Sequence, residues 1–242
     1  DRDGYVIVRG LASRQRCESM KAVAMRHLAE EVAPLEYEAQ VNYPGAPASL
    51  DAPGGRTVRR LLQAFARDPL FRNWATSMEI AQRLRQLLGP DVEMSQAHHN
   101  CVMTKSPAFS SATGWHQDIR YWSFERPELV SVWLALGPER KENGCLWLVP
   151  GTHKTEYARQ RYDDVWFFRE DAEENRAVIA SRIAAELNEG DVLFFHCRTL
   201  HEAGRNLTDQ IKFAAVFTYH AADNRPLPNT RSASLPEIVL AA

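Results

Sequence analysis

The chain has 242 residues, 45% hydrophobic and 25% charged, which is enough for one large domain or two small ones with ample core. Its formal net charge is −2 and its basic stretches, such as Arg56 to Arg60, are short and interrupted, so no nucleic-acid or polyanionic partner is expected. No apolar run approaches the roughly 18 residues that a membrane helix needs, and no secretory leader is visible, so a cytoplasmic location with no membrane partner is expected.

In chain order, Gly4 to Arg9 reads as a short strand. Ser13 can cap a helix running to about Glu31, with Cys17, Met20, Val23, Ala24, His27 and Leu28 near helical spacing. Residues 40–56 are rich in Pro, Gly, Ala and Ser and read as a loop, functional or mobile rather than structural. Val58 to Leu88 carries an apolar stripe interrupted at Asp68-Pro69, which predicts two helices. Beyond Gly89-Pro90 the pattern changes. Val92–Met103, Val130–Leu136, Cys145–Val149, Val178–Ile183, Asp191–Phe195 and Lys212–His220 are short, β-branched or aromatic runs that read as strands. Tyr157 to Asn175 has no clear period and reads as an irregular insertion. Many short strands after a few helices predict an antiparallel sandwich or barrel with helices outside it. Cys17, Cys101, Cys145 and Cys197 form no C-x-x-C pair and are expected to be reduced, mostly buried thiols.

The chemistry concentrates at His116-Gln117-Asp118. In a strand, residues i and i+2 point to one side, roughly 6.6 Å apart, so His116 and Asp118 can share an ion while Gln117 points away. Two imidazoles and one carboxylate bind a non-haem Fe(II) by one face and leave the opposite positions open. The second imidazole must come from elsewhere. His201 follows the buried run Gly190–Phe195 and can sit either on a surface loop or at a cavity mouth.

The run Trp-His116-Gln117-Asp118, then Val130–Leu136, then Asn143-Gly144-Cys145 through Pro150-Gly151-Thr152-His153, then His201 with Asn206-Leu207-Thr208, resembles the phytanoyl-CoA dioxygenase family of Fe(II)- and 2-oxoglutarate-dependent oxygenases. The likeness spans roughly residues 90 to 222; the N-terminal part matches only loosely. It implies a mainly β fold with flanking helices around a double-stranded β-helix (jelly-roll, cupin-like) core. Residues 1–242 would form a single oxygenase domain, with 1–90 as helical support, 91–222 as the core and 223–242 as a C-terminal tail. It implies His116, Asp118 and His201 as ligands of Fe(II), with 2-oxoglutarate as chelating co-substrate and O2 as oxidant.

The resemblance carries further expectations. The far carboxylate of 2-oxoglutarate needs a cation, usually an Arg eleven residues past the distal His; that position is Lys212 here. Lys is a point charge where Arg would be a bidentate fork. Arg205 is the competitor. Trp133 matches a co-substrate-lining Trp. His99 and Cys101 match polar positions near the co-substrate, although another register favours His98. Arg60 matches a basic helix residue that reaches the site, and Ala203 stands where relatives place a Ser. Asp118 is intact, and halogenating relatives lack that carboxylate, so hydroxylation of a small organic substrate is the expected reaction. Gln117, Arg120 and Tyr121 are candidate substrate contacts, with the 40–56 loop, residues 119–125 and the 154–175 insertion as walls. The substrate is expected to be amphipathic or carboxylate-bearing. The alternative is a non-catalytic jelly-roll protein that binds a metal or ligand, and a zinc hydrolase is a distant third because no general base is placed by motif. Oligomeric state is not legible.

Overall fold

The computed structural model describes residues 2–41, 43 and 45–241. Two antiparallel sheets face each other. The larger has eight strands in the order β1-β9-β6-β11-β4-β3-β2, with β12 also paired to β4; the smaller has four, β5-β10-β7-β8. Their ranges are β1 Tyr5–Val8, β2 Leu35–Tyr37, β3 Val58–Leu62, β4 Val92–Lys105, β5 Thr113–His116, β6 Leu129–Ala135, β7 Leu146–Val149, β8 Ile183–Ala184, β9 Val192–His196, β10 Leu200–Ala203, β11 Lys212–Ala221 and β12 Ile238–Val239. Helices α1 Arg14–Ala29, α2 Ala64–Arg67, α3 Pro69–Ala75 and α4 Met78–Leu88 cover the outer face of the large sheet, and α5 Glu173–Ile179 lies in the insertion. The fold is mainly β with flanking helices around a jelly-roll core.

The period of the central strands explains both layers. On β6, Val130, Val132 and Leu134 face the helices, while Trp133 and Ala135 face the small sheet. On β11, Phe213, Ala215, Phe217 and Tyr219 face the helices, and Ala214 and Val216 face inward. Strands covered on both sides read as unbroken apolar runs, as these do. The same parity turns Lys212 inward. Met20, Trp74 and Leu84 seal the helical layer with no more than 1% exposure, each contributing roughly 1.5–3 kcal/mol by burial.

The helix starts follow local chemistry. Ser13 accepts from the Arg16 amide at the start of α1, and Asp68 accepts from the Leu70 amide at 2.9 Å with Pro69 as the first residue of α3. The break at Asp68-Pro69 is therefore as expected, but Val58–Leu62 is a strand rather than the first turn of a helix. Leu61 and Leu62 suit either element; β3 wins because it pairs with β4, and Gln63, at φ 54°, turns the chain before α2 begins. Val178–Ile183 also departs from its expected strand. Glu173 and Glu174 sit in the first turn of α5, where carboxylates favour the helix dipole, and only Ile183–Ala184 pairs with β7. The 40–56 loop is irregular where it is described; Asn42 and Pro44 lie outside the described residues. The C-terminal segment is integrated into the fold: β12 pairs with β4, and a 3-10 turn at Arg231–Ala233 packs against the same strand.

Candidate active site

His116 ends β5 and His201 lies directly opposite it on β10. Asp118 is not in the strand. It opens a 3-10 turn, Asp118–Tyr121, that bends the carboxylate back between the two imidazoles. His116 Nε2 and His201 Nε2 each stand 3.6 Å from Asp118 Oδ1, and one ligand atom from each residue lies within 4.8 Å of the others. All three side chains are buried. Each ring's Nδ1–H donates to a carbonyl two residues upstream: His116 to Gly114 at 2.8 Å, His201 to Thr199 at 2.9 Å. Those bonds fix the tautomer and leave both Nε2 lone pairs aimed at Asp118, as metal-ligating imidazoles require. Burial pushes the His116 imidazole down to about 3, keeping it a neutral donor. Burial alone would raise Asp118, but the surrounding imidazoles of His99, His201 and His116 hold its carboxyl well below the usual range. Ser131 Oγ donates to Asp118 Oδ2 at 3.3 Å. The donor set, the tautomers and the convergence fit a divalent ion.

Two cavities meet at this triad. The inner one runs between the sheets and is walled by Trp133, Phe195, Ala203, Lys105 and Lys212, among others. The outer one, about 420 Å³, is walled by Tyr43, Tyr121, Trp122, Trp166, Phe167 and Arg231. Arg60, His99, His116 and Asp118 border both.

A scan of protein families matches residues 1–214 to the phytanoyl-CoA dioxygenase model. The chain belongs to the phytanoyl-CoA dioxygenase family. It is an Fe(II)- and 2-oxoglutarate-dependent dioxygenase. It is 25% identical to human peroxisomal phytanoyl-CoA dioxygenase, over 92% of this chain and 67% of that one. It is 27% identical to ectoine dioxygenase of Sphingopyxis alaskensis, over 93% of this chain and 74% of that one. The fold matches the crystal structure of EctD from S. alaskensis with 2-oxoglutarate and 5-hydroxyectoine at a TM-score of 0.76, with 23% identity over 94% and 75% of the two chains. It also matches the epimerase SnoN in complex with Fe3+, alpha ketoglutarate and nogalamycin RO at a TM-score of 0.73, with 24% identity over 100% and 92%. No helix among the described residues is long and apolar enough to cross a membrane.

The family expectations can be placed residue by residue. Trp133 and Lys212 do line the inner cavity, but the Lys212 ammonium is held by Glu139 Oε2 at 2.9 Å, and Trp133 Nε1 donates to Glu139 Oε1 at 2.7 Å. Arg205 is exposed and its guanidinium lies against Gly45, away from the inner cavity. His99 faces the triad, with Nδ1 3.3 Å from Ser131 Oγ, while His98 turns away to Ser232 Oγ at 2.8 Å. Cys101 is buried but does not reach the cavity wall; Met103, two residues on, does. Arg60 reaches the site from strand β3 instead of a helix, paired with Glu36 at 2.8 Å. Gln117 faces away from the triad, its amide donating to the Arg198 carbonyl and its Oε1 accepting from Tyr162 OH at 2.8 Å. Arg120 is not in the outer wall. Its guanidinium lies 4.3 Å and 4.2 Å from the Tyr121 and Phe167 ring centres and donates to Trp166 O at 2.8 Å, so it braces the aromatic wall. Tyr121 is in that wall.

Lys105, Glu139, Ser131 and Arg231 escaped the sequence reading. Lys105 ends a strand that mixes polar and apolar residues, so no local pattern marks it as a cavity cation. Arg231 lies in a polar C-terminal run with no period, and nothing local marks it.

Proposed function

We propose that His116, Asp118 and His201 hold the Fe(II), that 2-oxoglutarate lies in the inner cavity, and that the enzyme hydroxylates a small amphipathic molecule with an anionic group, releasing succinate and CO2. The observation that carries this reading is the position of the triad between two cavities of opposite character. Iron held there would activate O2 with electrons taken from the oxidative decarboxylation of 2-oxoglutarate. The chain's own residues do the rest. Trp133 gives the co-substrate a flat wall, and Ser131 steadies the carboxylate that helps hold the ion. Tyr121, Trp122 and Phe167 exclude water from the substrate side and offer rings to an apolar body. Arg231, with no carboxylate paired to it among the described residues, offers the charge that Arg120 does not. The four cysteines are unpaired and buried, which supports a reducing, cytoplasmic setting.

The test is a substrate panel of aromatic and aliphatic carboxylates with Fe(II), ascorbate and 2-oxoglutarate. A substrate should stimulate succinate release and gain one oxygen atom. A stimulated product without added oxygen would overturn hydroxylation.

A further inference from the structure

The inner cavity wall carries four cations, Arg59, Arg60, Lys105 and Lys212, and the geometry points to Lys105 as the anchor for the far carboxylate of 2-oxoglutarate. This rests on the reading that 2-oxoglutarate occupies the inner cavity.

Three of the four are already matched by carboxylates. Arg59 pairs with Glu38 at 3.3 Å, Arg60 with Glu36 at 2.8 Å and Lys212 with Glu139 at 2.9 Å. Lys212 and Glu139 are almost wholly buried, and Trp133 Nε1 holds the second Glu139 oxygen at 2.7 Å. A co-substrate carboxylate arriving at Lys212 would meet the Glu139 carboxylate in a space with little water, where like charges repel strongly. Lys105 has no such partner among the described residues. Its ammonium donates only to neutral acceptors, Ser111 O at 3.1 Å and Gly204 O. An ammonium has three donors, so one remains for a ligand.

Topology puts the two lysines side by side. Lys105 ends β4 and is the register partner of Lys212 on β11, and both reach the inner cavity. Burial pushes the Lys105 ammonium well below its usual range, and an incoming carboxylate favours the charged form; Lys105, Lys212 and Glu139 then carry a net +1 that the carboxylate cancels. A buried ammonium without a counter-charge is unfavourable, and the incoming carboxylate supplies it. The Asn-Gly-Cys turn makes room for the arrangement. Gly144 sits at φ +75°, and a Cβ there would stand 3.0 Å from Lys105 Cδ and 2.5 Å from Gly204 O. Lys105 thus selects 2-oxo acids that end in a carboxylate, while Lys212 and Glu139 form a neutral pair beside it.

Binding is read anaerobically in the Fe(II)-loaded protein, from the visible charge-transfer band of the chelate, with two probes. These are 2-oxoglutarate and 2-oxovalerate, which keeps the chelating head and chain length but lacks the far carboxylate. Lys105→Met should weaken 2-oxoglutarate about 30- to 100-fold and change 2-oxovalerate less than about threefold. The paired change Lys212→Met with Glu139→Gln should leave 2-oxoglutarate within about threefold, because it removes a pair that is already neutral. Equal losses for both probes in Lys105→Met would reduce Lys105 to a structural role and overturn the assignment. So would a large loss in the paired variant with none in Lys105→Met. Lys105→Gln, which keeps hydrogen bonds to the two carbonyls without the charge, should repeat the 2-oxoglutarate loss if the Met variant folds poorly; full retention of affinity in it would also overturn the assignment. No band with either probe in the unmodified protein would remove the premise itself, and that result is distinct from the others.

Discussion

The inner and outer cavities share Arg60, His99, His116 and Asp118 and differ in the rest of their walls. The inner wall is built mostly from strands of the two sheets, with Asp118 added from the turn after β5. The outer wall comes from the loop at 43, the turn after Asp118, the 163–168 segment and the C-terminal turn at Arg231. On the inner side, three of the four cations are paired with carboxylates and the space is narrow. On the outer side, rings from unrelated segments are clasped together, as where Arg120 lies between Tyr121 and Phe167. The contrast teaches which part of the reaction each region controls. On the proposed reading, the strands and the turn at Asp118 hold the iron and the co-substrate. Loops, which vary freely on a fixed scaffold, choose the substrate.

That division can be broken at its shared edge first. Asp118→Ala removes the one carboxylate of the triad and should lower 2-oxoglutarate turnover by more than about 10³-fold, with loss of tightly held Fe(II). Succinate release by the variant and metal retention after desalting check this, and retained turnover would remove the triad assignment.

A change confined to the outer wall should act differently. Arg231→Ala should raise the KM of an anionic substrate by about 10- to 30-fold and leave 2-oxoglutarate affinity within about twofold. Steady-state kinetics with each reactant varied in turn would show it. Equal effects on both reactants would mean that the two cavities are not separable.

On the inner side, Ser131→Ala removes the hydroxyl that donates to Asp118 and should weaken Fe(II) by about tenfold, with no change in substrate preference. Competition with a metal chelator measures the first, and relative kcat/KM across two substrates the second.

The smallest expected effect concerns the cysteines. Burial raises the Cys17, Cys101 and Cys145 thiols to about 11 and Cys197 to about 12, so all four stay protonated at neutral pH. A thiol reagent should find almost none in the native protein and four after denaturation. Rapid labelling of Cys101 in the native state would mean that the β3–β4 wall of the inner cavity opens.

The sequence was legible where physical constraints are regular. β6, β9 and β11 announce themselves because strands buried on both faces must be apolar throughout; His201, by contrast, joined His116 and Asp118 only through the family resemblance. The misreadings have the same origin. Val58–Leu62 offered apolar residues that suit a helix or a strand, and only pairing with β4 decides between them. Val178 and Ile179 are β-branched yet helical, because their burial against the Trp115 and Phe168 cluster outweighs propensity. Asp118 was expected within a strand and lies one turn beyond it, which leaves its role available but changes how it gets there. The Glu139–Lys212 pair joins residues far apart in sequence, and no local pattern records it.

The most direct test of the account is anaerobic titration of the protein with Fe(II) and then 2-oxoglutarate, followed by visible absorption, in the unmodified chain and in Asp118→Ala. A charge-transfer band that saturates with co-substrate in the first and is absent from the second is the predicted result. A band that persists undiminished in Asp118→Ala, or that never forms in the unmodified protein, would contradict the placement of iron and co-substrate at this triad.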